Sequence, residues 1–292
     1  MKIGFQNQLL SCVGLALSHV IRLSAAPLKC ISGGQIAIMV DGGPSPNTPE
    51  LLQTLKKANV SALFFLDSEK LTSGSIPNIM RTIVNHGHIL GMKLNMPADI
   101  NDVSNDLLRG GMEEYMRSFT EAIGKTPVFI KVPEQISKEK IDFLTASGYL
   151  VTTAELDLSK EWSGNCARRF NGTVASAGLD SSFVVSIGDT EISCSVQEYE
   201  QIIKTAKALG FELVRMDQCI NLRDSYRSRG ESRPVDYSLF EGPQSENISA
   251  TDNATLSLSK LSSSAAKLEA SSSVNFLILT GAILLAFYQF LS

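Results

Sequence analysis

Asp41 lies where the chain turns sharply out of an apolar run. Residues 36–40 read Ile-Ala-Ile-Met-Val and predict a buried strand, which cannot continue through the Asp-Gly-Gly-Pro that follows. A carboxylate at the end of a buried strand, followed by a turn and a helix, is typical of active sites in α/β folds. The same pattern also fits an aspartate that only caps a turn, so both interpretations stay open at this point.

Polar side chains also follow several other predicted strands. In a parallel barrel, the loops after the strands form the active face, so these residues are expected on one rim. Trp162, the single tryptophan, is among them. Its ring could stack on a sugar or pack under a loop, and the pattern does not decide between the two. The residues expected on the rim include Asp41, Lys93, Asn95, Pro97, Lys131, Pro133, Asp157, Trp162, Gly188 and Asp189.

Strand-like and helix-like segments alternate through the part of the chain that must position this rim. This alternation predicts an α/β fold with about seven parallel strands, most simply a distorted (β/α) barrel. Strands are predicted at 36–40, 62–66, 88–92, 128–131, 150–154, 183–187 and 211–214. Helices are predicted at 49–59, with Thr48 as the N-cap, and at 76–85, 103–124, 138–147 and 196–209. A loop is expected to follow the fifth strand.

The composition limits the class of protein. The chain has 292 residues and a formal net charge of −4, with no basic stripe, which argues against nucleic acid as a partner. One globular domain is predicted over residues 29–222. From 223 to 273, Ser, Thr, Asn, Gly and Pro dominate, which predicts a flexible stalk.

Both ends of the chain have the pattern of targeting segments. Residues 1–26 combine Lys2, a short apolar stretch and Ser24-Ala25-Ala26, and predict a secretory signal peptide. Residues 276–291 are apolar and uncharged, and they follow small residues and a polar spacer, as in a GPI-anchor signal. A single C-terminal transmembrane helix is the alternative. Either anchor would place the domain outside the cell, on the membrane or in the wall.

The cysteines and glycosylation sequons agree with secretion. Without Cys12, four cysteines remain, and in an oxidising compartment an even number favours disulfides over free thiols. Of the three possible pairings, Cys30–Cys219 with Cys166–Cys194 would staple the two ends of the domain. Sequons for N-glycosylation occur at Asn59, Asn171, Asn247 and Asn253.

With these residues in place, the chain resembles the polysaccharide deacetylase family, which shares the NodB homology domain and is also called carbohydrate esterase family 4. Residues 37–52, which contain Val40-Asp41-Gly42-Gly43-Pro44, resemble the family's apolar strand, Asp-Asp-Gly-Pro and helix. Gly87-His88-Ile89-Leu90-Gly91 matches the Gly-His-x-x-Gly that leads into its second motif. Cys30 and Cys219 fall where fungal chitin deacetylases have a disulfide, so fungal or microsporidian proteins of that type are the expected relatives.

The resemblance implies metal-assisted amide hydrolysis, and its ligand positions map onto unusual residues here. In the family, one aspartate is the general base, while a second aspartate and two histidines bind zinc or cobalt. The base falls on Asp41. The metal-binding aspartate falls on Gly42, the first metal histidine on Lys93, and the second on or beside Pro97. Neither an ammonium nor a proline replaces a neutral imidazole.

The remaining family positions are partly retained. The arginine that orients the base falls on Lys131, Asp157 matches the aspartate of the fourth motif, and the histidine that protonates the leaving amine falls on Gly188. Glu161-Trp162 resembles the Asp-Trp of that motif. The residues predicted to contact a glycan are Lys131, Pro133, Asp157, Trp162 and Asp189.

The number of histidines supports the same conclusion without any alignment. The chain has three histidines. His19 lies in the predicted signal peptide, and the other two are His86 and His88. We therefore expect no metal cofactor and predict that the family's mechanism cannot operate. A further hypothesis is that the Lys93 ammonium takes the place of the metal and pairs with Asp41.

Three functions stay open on the sequence. The first is a catalytically inactive relative of the chitin deacetylases that binds a chitin-type, N-acetylated glycan at the cell wall. The second is an active deacetylase with a rearranged site, in which Asp41, Asp157 and Asp189 hold a metal weakly. The third is a structural wall or adhesion protein. The missing ligands favour the two non-catalytic alternatives.

Overall fold

The fold is a curled parallel sheet covered by helices. The computed structural model describes residues 27–71, 74–96, 98–190 and 192–228. The strands are β1 (Gln35–Gly43), β2 (Ala62–Asp67), β3 (Ile89–Lys93), β4 (Thr126–Pro127), β5 (Phe129–Lys131), β6 (Leu150–Val151), β7 (Leu156–Leu158), β8 (Phe183–Gly188), β9 (Glu212–Val214) and β10 (Tyr226–Arg227). The helices are α1 (Thr48–Ala58), α2 (Ile76–Asn85), α3 (Asn105–Ile123), α4 (Lys138–Ala146), α5 (Cys166–Val174), α6 (Val196–Ala208) and α7 (Met216–Cys219), with a short 3₁₀ helix at Ser68–Lys70.

The order of the strands requires the sheet to curl. The order is β6-β5-β3-β2-β1-β8-β7, with β9 pairing to the start of β1, and these pairs are parallel. A flat sheet would separate β6 from β7 by six spacings, or roughly 29 Å. Val151 and Leu156 are only five residues apart, and that stretch of chain spans at most about 18 Å. The sheet therefore bends towards closure, which confirms the predicted distorted barrel.

Both faces of the sheet are buried. In β1, Ile36, Ile38 and Val40 pack with the helices on the outer face. Ala37 and Met39 alternate with them and pack into a second, smaller cluster. Successive residues of a strand point to opposite faces, so the two clusters explain why the strand is apolar without interruption.

The predicted strands and helices are present, with three local differences. The first strand does not end at Val40: β1 continues through Asp41 and Gly42 to Gly43, and its register shifts between Asp41 and Gly43. Thr48 is the first residue of α1 and not its N-cap, and its hydroxyl lies in a buried hydrogen-bond network described below. The fifth predicted strand was too long. After Val151 the chain leaves the sheet edge and crosses to the opposite edge, where it forms β7, and α5 follows in the stretch expected to be a loop.

Two disulfides join distant parts of the domain. They are Cys30–Cys219 and Cys166–Cys194, with sequence separations of 189 and 28 residues, as the sequence predicted. The first joins the start of the domain to α7, and the second joins α5 to the loop between β8 and α6. Disulfides of this kind are typical of proteins in an oxidising compartment.

The folded domain continues past the predicted boundary at residue 222. Strand β10 pairs with β4, and the Leu90 N–H donates to the Tyr226 hydroxyl at 2.8 Å. Arg227 donates to the carbonyl of Ser147 at 2.8 Å. Residues 223–228 therefore belong to the domain and not to the stalk.

The predicted signal peptide, the rest of the stalk and the C-terminal apolar tail lie outside the described residues. Within the described part of the chain, no helix is long and apolar enough to cross a membrane.

Candidate functional site

The ends of five strands bring charged side chains to one edge of the sheet. Asp41 of β1 pairs in register with Phe65 of β2 on one side and Gly188 of β8 on the other. Farther along the sheet, Asp67 of β2 is level with Lys93 of β3, and Lys93 is level with Lys131 of β5. Because all these strands are parallel, their carboxyl ends meet at one edge, where a (β/α) barrel has its active face. Asp157 of β7 completes the set from the other end of the sheet.

Asp41 is buried between two ammonium groups. It is 4% exposed, and its Oδ2 accepts a hydrogen bond from Lys131 Nζ at 2.7 Å. Its Oδ1 lies 3.3 Å from Lys93 Nζ, an ion-pair distance without hydrogen-bond alignment among the described residues. Burial opposes ionisation of Asp41, but the two ammonium groups outweigh it and lower the pKa of the carboxyl below its usual value. The ion pair expected between Lys93 and Asp41 is thus present.

The ion network extends to residues that the sequence did not single out. Lys93 Nζ lies 3.7 Å from Asp67 Oδ1, and Lys70 Nζ lies 3.2 Å from Asp67 Oδ2. Lys70 also donates to the carbonyl of Gly42 at 2.7 Å, next to Asp41. A carboxylate at the end of β2, directly after the apolar run 62–66, was the signal that could have identified Asp67. The 3₁₀ helix that presents Lys70 left no pattern in the sequence.

Lys131 links the network to strands β8 and β7. Its Nζ donates to the Ser186 hydroxyl at 3.1 Å and lies 3.8 Å from Asp157 Oδ2. The other oxygen of Asp157 accepts from the N–H of Ser159 at 2.8 Å. The cluster thus contains three carboxylates, Asp41, Asp67 and Asp157, and three ammonium groups, Lys70, Lys93 and Lys131. Its formal charges balance.

Asp189 holds the turn that follows Asp41. It is 2% exposed, and its carboxylate accepts from the hydroxyls of Ser45 and Thr48, each at 2.5 Å. Its own N–H donates to the carbonyl of Asp41 at 2.7 Å. A Cβ at Gly43 would lie 2.6 Å from Asp189 Oδ2, so glycine allows this close approach. Asp189 was predicted to contact a glycan, but these contacts make it a brace between β8 and the turn.

The position matched to the acid histidine has no room for a side chain. A Cβ on Gly188 would lie 2.8 Å from the carbonyl oxygen of Ser159 and 2.8 Å from the Cβ of Ser193. Two loops therefore meet where an imidazole would stand. Tyr199 lies beneath this point and donates to the carbonyls of Ile187 and Gly188 at 3.1 and 3.2 Å. Burial, and then the charges of Asp189 and Asp41, raise the pKa of Tyr199, and its complete burial keeps it from acting as a general acid on a ligand.

The outer rim is more open. The Trp162 side chain is 76% exposed, so it does not pack under a loop. Pro133 is also exposed, while the Asp157 side chain is partly exposed. Pro97 lies outside the described residues. The structure thus brings Asp41, Lys93, Lys131 and Asp157 into one cluster, with Trp162 on the loop after β7.

The residues at this edge do not suit a transition metal. Among the described residues, no group of three His, Cys, Asp or Glu side chains is placed to hold a metal ion. The space beside Gly42 faces Lys93, whose Nζ would be 3.6 Å from a Cβ at that glycine. An ammonium at this distance repels a cation, and both oxygens of Asp41 already face ammonium groups. His88, one of the two histidines described, is buried at the start of β3, where its Nδ1 accepts from the N–H of Ala62 at 3.2 Å.

Comparisons with known proteins agree with this geometry. Residues 29–149 match the model of the family described as polysaccharide deacetylase. A chitin deacetylase of Colletotrichum lindemuthianum is 25% identical over 204 residues, which is 66% of this chain and 82% of that protein. Its solved structure superposes with a TM-score of 0.60 at 23% identity, covering 70% of this chain and 96% of that one. A family pseudoenzyme of Bacillus anthracis has a TM-score of 0.57 at 15% identity, covering 68% of this chain and 69% of that one.

The fold and the site therefore define a protein of the parallel α/β class with its polar cluster at the carboxyl ends of the strands. The fold is that of the NodB-type domain of polysaccharide deacetylases, and residues 29–149 match the model of that family.

Proposed function

We propose that this protein is a catalytically inactive polysaccharide deacetylase-like protein that binds a chitin-type, N-acetylated glycan outside the cell. The observation that carries the proposal is the placement of Asp41 between Lys93 and Lys131. A general base must accept a proton from water that a metal has activated. In this protein, the two carboxylate oxygens of Asp41 face the ammonium groups of Lys93 and Lys131. The position matched to the acid histidine is closed by Ser159 and Ser193.

The side chains on the rim around the cluster support binding of a sugar chain. Trp162 offers an exposed aromatic face, and an indole can stack on the apolar face of a pyranose ring. Asp157 is partly exposed, and its Oδ2 lies 3.8 Å from Lys131 Nζ, too far for a hydrogen bond. This oxygen can therefore accept a hydrogen bond from a sugar hydroxyl. The relatives described as chitin deacetylases act, by their names, on an N-acetylated polysaccharide. A domain that keeps these sugar-binding side chains and lacks the catalytic ones would bind the glycan without hydrolysing it.

An extracellular position fits the same proposal. The two disulfides and the similarity to fungal chitin deacetylases support it. Asn59 and Asn171 have exposed side chains and are the sequons proposed to carry glycans within the described residues. We further propose that residues 1–26 direct secretion and that residues 276–291 anchor the protein by GPI or by a single helix. Asn247 and Asn253 lie outside the described residues.

Acetate release tests the absence of catalysis. The purified full-length protein is incubated with chitin oligosaccharides, with added zinc or cobalt or with chelator, and the Asp41→Asn variant is run in parallel. We expect no acetate above the level of the variant under any condition. Release that chelator abolishes and that requires Asp41 would establish the alternative, an active deacetylase with a rearranged site.

Sedimentation with insoluble chitin tests the binding function. We expect the wild-type protein to sediment with chitin and Trp162→Ala to sediment less. Arg168→Ala, an exposed substitution on α5, is the control and is expected to match the wild type. Absence of the protein from the chitin pellet would favour the structural wall or adhesion protein over the glycan-binding protein.

A further inference from the structure

We propose that Lys93 is the specificity-determining residue at these strand ends and that its ammonium donates a hydrogen bond to the carbonyl of a ligand's acetamido group. The proposal rests on the proposed glycan-binding function and goes further, because it names the atom that distinguishes an N-acetylated sugar from its free amine. The ammonium would then hold the carbonyl of the ligand without delivering water to it.

Among the residues that the structure describes, the contacts of Lys93 leave it one free donor. A lysine ammonium has three N–H groups. Its Nζ lies 3.3 Å from Asp41 Oδ1 and 3.7 Å from Asp67 Oδ1, so at most two of them are directed at carboxylates. The side chain is 31% exposed, whereas Lys131 is 13% exposed and is engaged by Asp41 and Ser186. Of the two ammonium groups that face Asp41, Lys93 is therefore the one with access to a ligand.

The backbone shape beside Lys93 supports the same role. Gly42 has a φ of 83°, in the left-handed region that favours glycine, and it has no side chain to cover the ammonium. A Cβ there would lie 3.6 Å from Lys93 Nζ and 3.4 Å from Thr190 Cγ2. Glycine therefore places no Cβ against the ammonium, and the 31% exposure of the Lys93 side chain makes it accessible to a small planar group such as an acetamide.

The chemistry of the ligand follows from this donor. An amide carbonyl is an acceptor and suits an N–H of an ammonium, and a hydrogen bond to a charged donor is stronger than one between neutral groups. A free sugar amine is protonated at neutral pH, has no acceptor there and would place its positive charge against Lys93. Because the charges of the cluster balance, no surplus of carboxylates compensates for that repulsion.

Each carboxylate that faces Lys93 has a second ammonium partner, so the role of Lys93 can be tested by substitution. Without it, Asp41 keeps Lys131 at 2.7 Å, and Asp67 keeps Lys70 at 3.2 Å. Lys93→Met removes every donor while keeping a long unbranched side chain. Lys93→Gln restores a neutral donor. Lys204→Met makes the same chemical change on the outer helix α6, where Lys204 is exposed and pairs with Glu200 at 3.6 Å.

The experiment is calorimetric titration of the full-length protein with two four-sugar oligosaccharides, fully N-acetylated and fully deacetylated. We expect the wild type and Lys204→Met to prefer the N-acetylated form by at least about tenfold in Kd. Lys93→Met should lose this preference, and Lys93→Gln should recover part of it. Thermal unfolding of each variant checks the fold, and if Lys93→Met does not fold, Lys93→Gln against the wild type decides the result.

The outcomes separate this inference from the proposed function. Equal binding of both oligosaccharides by the wild type, or an unchanged preference in a folded Lys93→Met, overturns the role of Lys93 and leaves glycan binding intact. Binding of neither oligosaccharide overturns both the role and the proposed function. If Lys93→Met loses the preference while the wild type and Lys204→Met keep it, the result supports both the role of Lys93 and the proposed function.

Discussion

Lys131 Nζ lies 2.7 Å from Asp41 Oδ2, and this ion pair joins strands β5 and β1 across residues that are 90 positions apart in the sequence. Both side chains are largely buried, so the pair is shielded from solvent. Such a pair is weak evidence for net stability, because removal of both charges from water opposes their attraction. Removal of one partner is a different matter, since it leaves the other charge buried.

Lys131→Met is therefore expected to destabilise the domain. Asp41 would keep only Lys93, which is 3.3 Å away and not aligned for a hydrogen bond. We expect a loss of about 3 kcal/mol in the free energy of unfolding, measured by urea denaturation. Adding Asp41→Asn should recover at least about 1 kcal/mol, because the uncompensated charge is then gone. A double variant that loses the sum of the two single effects would contradict the coupling.

Asp41 should also contribute to acid unfolding. Its pKa is lowered in the folded state from the value of 3.8, so the folded state binds fewer protons than the unfolded state in that range. The stabilisation is present above the unfolded pKa and is lost as pH falls through the folded pKa. In Asp41→Asn, the free energy of unfolding should fall less steeply below about pH 4. An unchanged slope in that variant would show that Asp41 is not held ionised by its partners.

The burial of His88 predicts a second pH-dependent change in stability, at higher pH than that of Asp41. It is 3% exposed, and burial, with a smaller effect from the charge of His86, lowers its pKa from 6.5 to about 4. The unfolded chain takes up a proton first, so stability is lost as pH falls from 6.5 to about 4, by about 3 kcal/mol in total. His88→Asn keeps an acceptor for the Ala62 N–H and should flatten this step. Asp41→Asn should retain this step, because the pKa of the Asp41 carboxyl lies below that of His88.

The sequence predicted the sheet well because buried strands carry their own signal. Residues 36–40 and 183–187 are apolar on both faces, as a covered parallel sheet requires, and both lie in strands of the structure. The crossing from β6 to β7 was missed, since a two-residue strand has too few positions to show a period.

The site was predicted only in part, for a related reason. The Lys93–Asp41 pair followed from the family positions. Asp67 and Lys70 are held in place by tertiary contacts, as when Lys70 donates to the carbonyl of Gly42, and such contacts leave no pattern along the chain. The burial of Asp189 was missed because it depends on the hydroxyls of Ser45 and Thr48, more than 140 residues earlier in the sequence.

Gly188 provides the last prediction, because its missing side chain explains why one substitution cannot restore the family's acid. A Cβ there would meet the Ser159 carbonyl and the Ser193 Cβ, both at 2.8 Å, so backbone or loop must shift. Gly188→Ala is expected to lose about 1–3 kcal/mol in unfolding free energy, and Gly188→His more. Gly110→Ala is the control: nothing lies within 4 Å of its Cβ position on α3, and alanine favours a helix, so it should gain about 0.5–1 kcal/mol. A Gly188→His variant as stable as the wild type would show that the two loops open readily, and the end of β8 would then have room for an acid.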